Sequence, residues 1–289
     1  MTATLLDGRS AAEEILGAIV GEVSRLDRPP HLAILRVGEN EASRCYVERK
    51  CATAKRIGIR TTSRVLTASA NLEEIIGQID RWNGDSGIHG ILVQMPLPDS
   101  AMHGAVFDAI DPKKDVDGFN PHNFGLLAQG RGGGFVPCTP NGIVHLLRRY
   151  GIATSGRHVV VIGRSTIVGR PLSLLLQSRG MDATVTQCHS KSENLREIAK
   201  SGHILISAAG SPGLVGGDWI GDGAVVVDVG QNFIADPSAP SGKRLVGDVD
   251  FAAALDRCSY VTPVPGGVGP LTVAMLMKNV LMARIANGC

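Results

Sequence analysis

Residues 157–176 read RHVVVIGRSTIVGRPLSLLL. An apolar run stops at Gly163, and a second apolar stretch begins after Pro171. A buried strand, a glycine turn and a helix in that order gather backbone N–H groups and a positive helix end where a diphosphate can sit. The usual fingerprint G-x-G-x-x-G is not met, because Ser165 replaces the second glycine and the last is displaced to Gly169. A plain strand-to-helix turn is the alternative. The end of the next strand bears on the choice of nucleotide. It reads CHSKS (188–192), with no carboxylate before Glu193, and Arg164 stands in the loop itself. Two cations and two hydroxyls suit a 2′-phosphate, which favours NADP over NAD. The bland reading leaves Arg164 and Lys191 as solvated surface charges.

Working outward, further strands are expected near 183–189, 203–209, 224–230 and 259–264, with a buried last helix over 271–285. Toward the N-terminus, Ser10 and Glu13 form a capping box ahead of a helix. A strand at 31–37, a helix over about 41–57 closing on Gly58, a strand at 60–66, a helix capped by Asn71 and a buried strand within 87–98 follow. This αβαβαβ order implies parallel strands with crossover helices. Residues 111–139, rich in Gly, Pro, Asn and Asp, read as a long ordered loop or hinge. Thr139-Pro140 then opens a helix running to Tyr150. No internal repeat is visible. The fold class expected is α/β: two α/β domains flanking a cleft, the second a Rossmann-like NADP-binding domain.

Composition narrows the function. The 289 residues are 44% hydrophobic and 19% charged, enough for a real core, and the net charge is +2. With no block of like charges, no nucleic-acid partner and no membrane partner are expected. The N-terminus lacks an apolar run behind a basic start, and no window approaches the ~20 unbroken apolar residues of a spanning helix. Six scattered cysteines show no CxxC pair and no histidine at a zinc spacing, so no metal is expected. Free thiols in a reducing cytoplasm account for them.

Four groups remain as candidates. Tyr46 and Lys50, in CYVERK (45–50), lie on one helix face at i and i+4. They are either a surface pair or one wall and the acid/base of a small-molecule pocket. Gln94, near the end of GILVQMPLP, turns its amide toward a ligand or caps a buried backbone group. Asp115 and Asp117, in DVDGF, are turn formers or ligand holders. TPVPGGVGPLT (262–272) allows close backbone approach to a flat ligand, or simply makes a rigid stop before the last helix.

The series GENEASRCYVERKCATAKRIGI, ILVQMPLP, DPKKDVDGFNPHNFGLL, PCTPNGI, VIGRSTIVGRPLSLLL, DVG, GDVDF and PVPGGVGPLTVAML runs through nearly the whole chain. In order and spacing it resembles the bifunctional methylenetetrahydrofolate dehydrogenase/methenyltetrahydrofolate cyclohydrolase family. The resemblance implies NADP-dependent oxidation of methylenetetrahydrofolate and hydrolysis of the methenyl product, within the one-carbon metabolism that serves purine biosynthesis. It implies Tyr46 stacking on the folate rings, Lys50 as the catalytic amine, Gln94 as the partner that orients it, and Asp117 holding the pterin. Val93, Met95 and the segment Pro265, Gly266, Gly267, Val268 and Gly269 would line the folate pocket. Gly163, Arg164, Ser165 and Ser190 would hold NADP, with Gln231 near the nicotinamide. The implied domains are 1–139 plus 270–289 for folate and 140–269 for NADP, in a cytoplasmic homodimer. Two alternatives stand beside this: a monofunctional methylenetetrahydrofolate dehydrogenase, and a shikimate-dehydrogenase-like NADP oxidoreductase. The presence of Lys50, Gln94 and Asp117 together argues against the former, and DVDGF together with PVPGGVGP against the latter.

Overall fold

The computed structural model of the chain describes residues 3–239 and 242–287. It opens with strand β1 (Thr4–Leu5) and helix α1 (Gly8–Val23). Then β2 (His31–Val37), α2 (Glu41–Arg56), β3 (Arg60–Leu66), α3 (Leu72–Asn83) and β4 (Gly90–Val93) alternate. Helices α4 (His103–Ala109), α5 (Pro121–Ala128) and α6 (Cys138–Arg149) come next. The second series is β5 (His158–Ile162), α7 (Gly169–Gln177), β6 (Thr184–Cys188), α8 (Leu195–Lys200), β7 (Ile204–Ser207) and β8 (Val225–Asp228). The strands β9 (Asn232–Ala235) and β10 (Lys243–Val246), α9 (Phe251–Leu255), β11 (Tyr260–Val261) and α10 (Val268–Asn287) complete it.

The chain divides into two compact units, with divisions inside α1 and α10. One takes the chain up to Ala12 together with Thr139–Thr272. Its six-stranded sheet has the order β1-β11-β8-β7-β5-β6, all parallel. The inner strands β5, β7 and β8 are buried almost throughout, as strands covered on both faces must be. The strand order reverses between β5 and β7, which in open α/β sheets marks the ligand-binding crevice. The first residues join this unit because β1 pairs with β11, Thr4 opposite Tyr260.

The other unit holds Glu13–Cys138 and the chain from Val273 onward. Its parallel sheet has the order β3-β2-β4. β2 is buried from Leu32 to Val37, whereas edge strand β3 is mostly exposed. Helix α3 carries a full capping box, Asn71 with Glu74, at its start. At its end Lys114 Nζ donates to the carbonyls of Trp82, Asn83 and Asp85 at 2.9, 2.8 and 2.7 Å. A cation on orphan C-terminal carbonyls satisfies both their hydrogen bonding and the helix dipole.

Three local expectations change. Helix α1 starts at Gly8, and the carboxylate of Asp7 accepts from the N–H groups of Arg9 and Ser10 at 2.9 and 3.1 Å, so Asp7 rather than Ser10 is its cap. The expected loop 111–139 contains α5, capped by Asn120 with Pro121 in its first turn. The antiparallel pair β9–β10 was not foreseen. By length and composition α10 is long and apolar enough to span a membrane, but most of it is buried: Leu271, Ala274, Met275, Leu276, Met277 and Val280 are at most 1% exposed, while Met282 and Ile285 are exposed.

The units also repeat a device that no sequence repeat announces. In each, a central strand is flanked by its two successors, β2 by β3 and β4, and β5 by β6 and β7. Each central strand opens on a histidine. The His31 N–H donates to His89 Nδ1 at 3.0 Å, and the His31 ring meets Gly87 O at 3.1 Å and Thr62 Oγ1 at 2.8 Å. The His158 N–H donates to His203 Nδ1 at 3.1 Å, and its ring meets Ser201 O at 3.2 Å and Thr186 Oγ1 at 2.9 Å. A carbonyl can only accept, so each strand-opening ring carries a proton on Nδ1. Burial lowers the pKa of His31 and of His89, which favours the neutral ring in those two, with His31 Nε2 accepting from Thr62 Oγ1.

Candidate functional site

Helix α2 leaves β2 after Gly38, whose φ of +79° suits glycine. Asn40 caps it by accepting from the Ser43 N–H at 2.9 Å, Glu41 lies in its first turn, and Lys55 and Arg56 in its last. This agreement with the dipole fixes a helix on which Tyr46 and Lys50 share one face. Both are half-buried. Burial raises the pKa of the Tyr46 hydroxyl.

Gln94 continues the β4 ladder, its N–H donating to Leu35 O at 2.8 Å. Its amide nitrogen donates to Met95 O at 2.7 Å, and Lys50 Nζ donates to its Oε1 at 3.0 Å. The orientation follows from chemistry, because an ammonium has only donors to offer. Gln94 therefore ties down backbone with its amide nitrogen and meets the Lys50 side chain with its oxygen. Val93 is 3% exposed and belongs to the core under the sheet, with Met95 packed against that core.

The two acids of DVDGF separate. Asp115 is 1% exposed and accepts from the N–H groups of Phe119 and Asn120 at 3.1 and 2.8 Å and from Asn123 Nδ2 at 2.8 Å. It is the turn former, and it presents Asp117. A Cβ on Gly118 would lie 2.7 Å from Pro137 N, so the residue after Asp117 has to be glycine, at φ +76°. Asp117 keeps some accessible surface, but its carboxyl lies deep enough for desolvation to raise its pKa. The Lys50 charge and a hydrogen bond from the Cys138 thiol oppose that rise. Lys50, Gln94, Asp117 and Cys138 thus form one cluster in this unit. Cys138 Sγ also lies 3.3 Å from Val116 O, the carbonyl that Asn279 Nδ2 holds at 2.8 Å.

In the other unit, β5 and β6 end level, Ile162 opposite Cys188. Arg164 and Ser190 each follow by two residues, so a cation and a hydroxyl emerge from adjacent strand ends, both exposed. Gly163 has φ +127°, and a Cβ there would collide with Ala208 O just beyond β7. A Cβ on Gly169 would collide with Gly163 O. The turn is therefore closed onto the switch point, with no room for a side chain at either glycine. The Ser165 hydroxyl is partly used inside it, accepting from the N–H groups of Val168 and Gly169 at 3.2 and 3.4 Å. The donors and cations, with no carboxylate in 163–170 or 188–192, fit the phosphates of NADP. A Cβ on Gly269 would come 3.1 Å from Gln231 Nε2, so Gln231 and the PGGVG segment are neighbours in this unit.

Residues 6–117 match the family model for the tetrahydrofolate dehydrogenase/cyclohydrolase catalytic domain, and residues 137–287 match that for its NAD(P)-binding domain. The bifunctional protein FolD of Chlamydia abortus is 47% identical over 277 residues, 95% of this chain and 96% of that protein. The chain belongs to the tetrahydrofolate dehydrogenase/cyclohydrolase family. Among solved members, the Trypanosoma brucei enzyme, complexed with NADP cofactor and inhibitor, superposes with a TM-score of 0.94 at 40% identity, covering 99% of both chains. The bifunctional FolD of Campylobacter jejuni gives 0.92 at 39%, covering 98% of this chain and 99% of that one. Shikimate dehydrogenase of Aquifex aeolicus, at 0.54 and 14% identity over 90% of this chain and 93% of that one, shares the fold alone.

Within this family member, sequence reasoning passed over Cys138 as one more free thiol and did not single out Asn279. Their signal was faint: a cysteine beside the Pro137–Pro140 turn and one polar residue inside an apolar helix. Asp115 offers a direct check. Burial pushes its carboxyl up to about 7 from 3.8, against the pull of its N–H donors. Between those values the folded protein binds the proton more tightly than the unfolded chain, so Asp115's contribution to stability falls as pH rises through that window. Relative to Asp115→Asn, which does not titrate, the wild type should lose on the order of 4 kcal/mol of stability between about pH 4 and pH 7. Urea denaturation of both proteins at the two pH values measures this. A constant difference would show that Asp115 ionises as freely when folded.

Proposed function

We propose that this protein oxidises methylenetetrahydrofolate with NADP and hydrolyses the methenyltetrahydrofolate so formed to formyltetrahydrofolate, as a step of one-carbon metabolism. The observation that carries the reading is the Lys50 Nζ to Gln94 Oε1 contact of 3.0 Å, beside Asp117 and one turn from Tyr46. Bound NADP would supply the hydride acceptor. Arg164 and Ser190 would hold its 2′-phosphate, the turn from Gly163 through Ser165 its diphosphate, and Gln231 would lie toward its nicotinamide.

Folate would be held by the other unit. Asp117, ionised, accepts from the pterin's amino and ring N–H groups in the bidentate geometry a carboxylate offers. Tyr46 offers an aromatic face to the rings. Of the other folate-lining residues proposed, Val93 and Met95 belong to this same unit, whereas Pro265, Gly266, Gly267, Val268 and Gly269 belong to the unit proposed to hold NADP. In the hydrolysis, water adds to the methenyl carbon and a ring C–N bond breaks. Lys50 moves the protons that these steps release and require, and Gln94 fixes its Nζ. The domains proposed follow these roles, folate on residues 1–139 plus 270–289 and NADP on 140–269, in a cytoplasmic homodimer. Analytical ultracentrifugation checks the assembly, which should sediment at twice the chain mass.

The test of the chemistry supplies purified protein with methylenetetrahydrofolate and NADP, then with NAD, then with shikimate and NADP. NADPH formation with the folate alone supports the proposal. Reduction with shikimate, or with neither substrate, would overturn it.

A further inference from the structure

Three strands of the larger sheet end level at its carboxyl edge: Ile162 of β5 opposite Ser207 of β7, and Ser207 opposite Asp228 of β8. One buried carboxyl lies across two of these ends. Asp248 is 0% exposed. Its Oδ2 accepts from the N–H groups of Ala209 and Gly210 at 2.8 and 3.1 Å and from Ser207 Oγ at 3.2 Å. Its Oδ1 accepts from the Ser211 N–H and from Asn232 Nδ2, both at 2.9 Å.

Five donors on one carboxyl are more than a loop turn requires. Three of them are consecutive backbone amides, Ala209 to Ser211, with Gly210 at φ +66°. Such a nest ordinarily captures an anion. Here the protein's own Asp248 occupies it, so the turn after β7 cannot take a phosphate. Anion binding at this edge is left to the turn after β5. The two turns meet: Ala208 O, next to the nest, is the atom that Gly163 would strike if it carried a Cβ.

The same carboxyl reaches the segment after β8. Asn232, held by Asp248, follows Gln231 directly, and on its other side the Gly230 N–H donates to Asp228 Oδ1 at 2.9 Å. Asp228 in turn accepts from the N–H groups of Asp248 and Val249, each at 2.9 Å. A Cβ on Gly230 would strike Asp248, and one on Gly247 would strike Asp228. Both glycines are therefore fixed by the two carboxyls packing against backbone.

We propose that Asp248 is a positioning residue for the cofactor, setting the turn after β7 against the phosphate turn and fixing the segment that carries Gln231. The inference rests on the NADP reading given above. Nothing in the folate-holding cluster of Lys50, Gln94 and Asp117 depends on it.

That separation supplies the test, because methenyl hydrolysis can be measured with no nucleotide present. Asp248→Asn turns an amide N–H₂ toward donors that need an acceptor. The KM for NADP should rise on the order of 10- to 100-fold, the cost of misplacing a binding group by about 1 Å. The hydrolysis rate should fall much less, by under about threefold, as expected for residues that share no hydrogen-bond partner. Direct titration with NADPH fluorescence should show the same weakening. Asn232→Ala, which removes only one of the five donors, serves if Asp248→Asn fails to fold, and should raise the NADP KM alone by a smaller factor. Equal loss of both activities in Asp248→Asn, or an unchanged NADP KM in a folded variant, would overturn the proposal. A wild-type protein that binds no NADPH would instead overturn the NADP reading on which it stands.

Discussion

Replacing Lys50 by methionine is expected to slow methenyltetrahydrofolate hydrolysis by about 10²- to 10⁴-fold, the range that one positioned acid/base group supplies. Methionine keeps much of the length and apolar stem of lysine, so α2 and its packing should persist. Only the amine that donates to Gln94 Oε1 at 3.0 Å is lost. A second effect has a defined sign. The Lys50 charge opposes the upward pressure of burial on the Asp117 carboxyl. Without that charge the carboxyl protonates at higher pH, and a protonated acid cannot accept both pterin donors. The KM for folate in the variant should therefore rise as pH falls, starting at a higher pH than in the wild type. Steady-state hydrolysis assays across pH, together with NADPH titration to show that the cofactor still binds, measure both. Hydrolysis that continued unchanged would remove Lys50 from the mechanism.

The second large effect concerns nucleotide choice. Arg164→Ala combined with Ser190→Ala should weaken NADP by about 100-fold or more, since hydrogen bonds to a charged phosphate contribute roughly 1.5–3 kcal/mol each. NAD has no 2′-phosphate to lose these contacts, so its affinity should change by less than about threefold, close to the ±0.5 kcal/mol of an ordinary surface substitution. Both residues are exposed and stand level beyond adjacent strands, so the fold has little stake in them. Calorimetric titration with each nucleotide reads the ratio. Parallel losses would mean that the pair holds something common to both nucleotides, and the 2′-phosphate assignment would be wrong.

Much of this architecture is legible in the chain because it rests on short-range chemistry. The run HVVVI followed by glycine specifies a buried parallel strand and a tight turn wherever it stands, and β5 ends at Ile162. Asn71 with Glu74 and Asn40 with Ser43 bond within one helical turn, so their helices start where the sequence says. What escaped depends on distant partners. β1 is two residues long and exists only because Tyr260 and Val261 lie beside it. The histidine devices of the two sheets agree in two histidines and a threonine apiece, too few for a visible repeat. Helix α5 hides between Asn120 and Gly130 in a stretch dense with turn residues.

The site divides in the same way. That Tyr46 and Lys50 share a face follows from helical spacing. That Gln94 meets Lys50 needs α2 and the end of β4 in place. The DVD motif could not say which acid would face Lys50. The ladder decides it, because Asp115 bridges Ile91 and turns its carboxyl inward to Phe119, Asn120 and Asn123, leaving Asp117 for the cluster. Asp248 was visible as an acid in GDVDF, but its five donors come from residues that only the folded sheet assembles.

The central claim, that one chain carries both activities, is tested most directly by the decay of methenyltetrahydrofolate absorbance with no nucleotide present. Decay well above the buffer rate, abolished in Lys50→Met, is the predicted result. Decay at the buffer rate, from a protein that still reduces NADP with methylenetetrahydrofolate, would contradict it and leave a dehydrogenase alone.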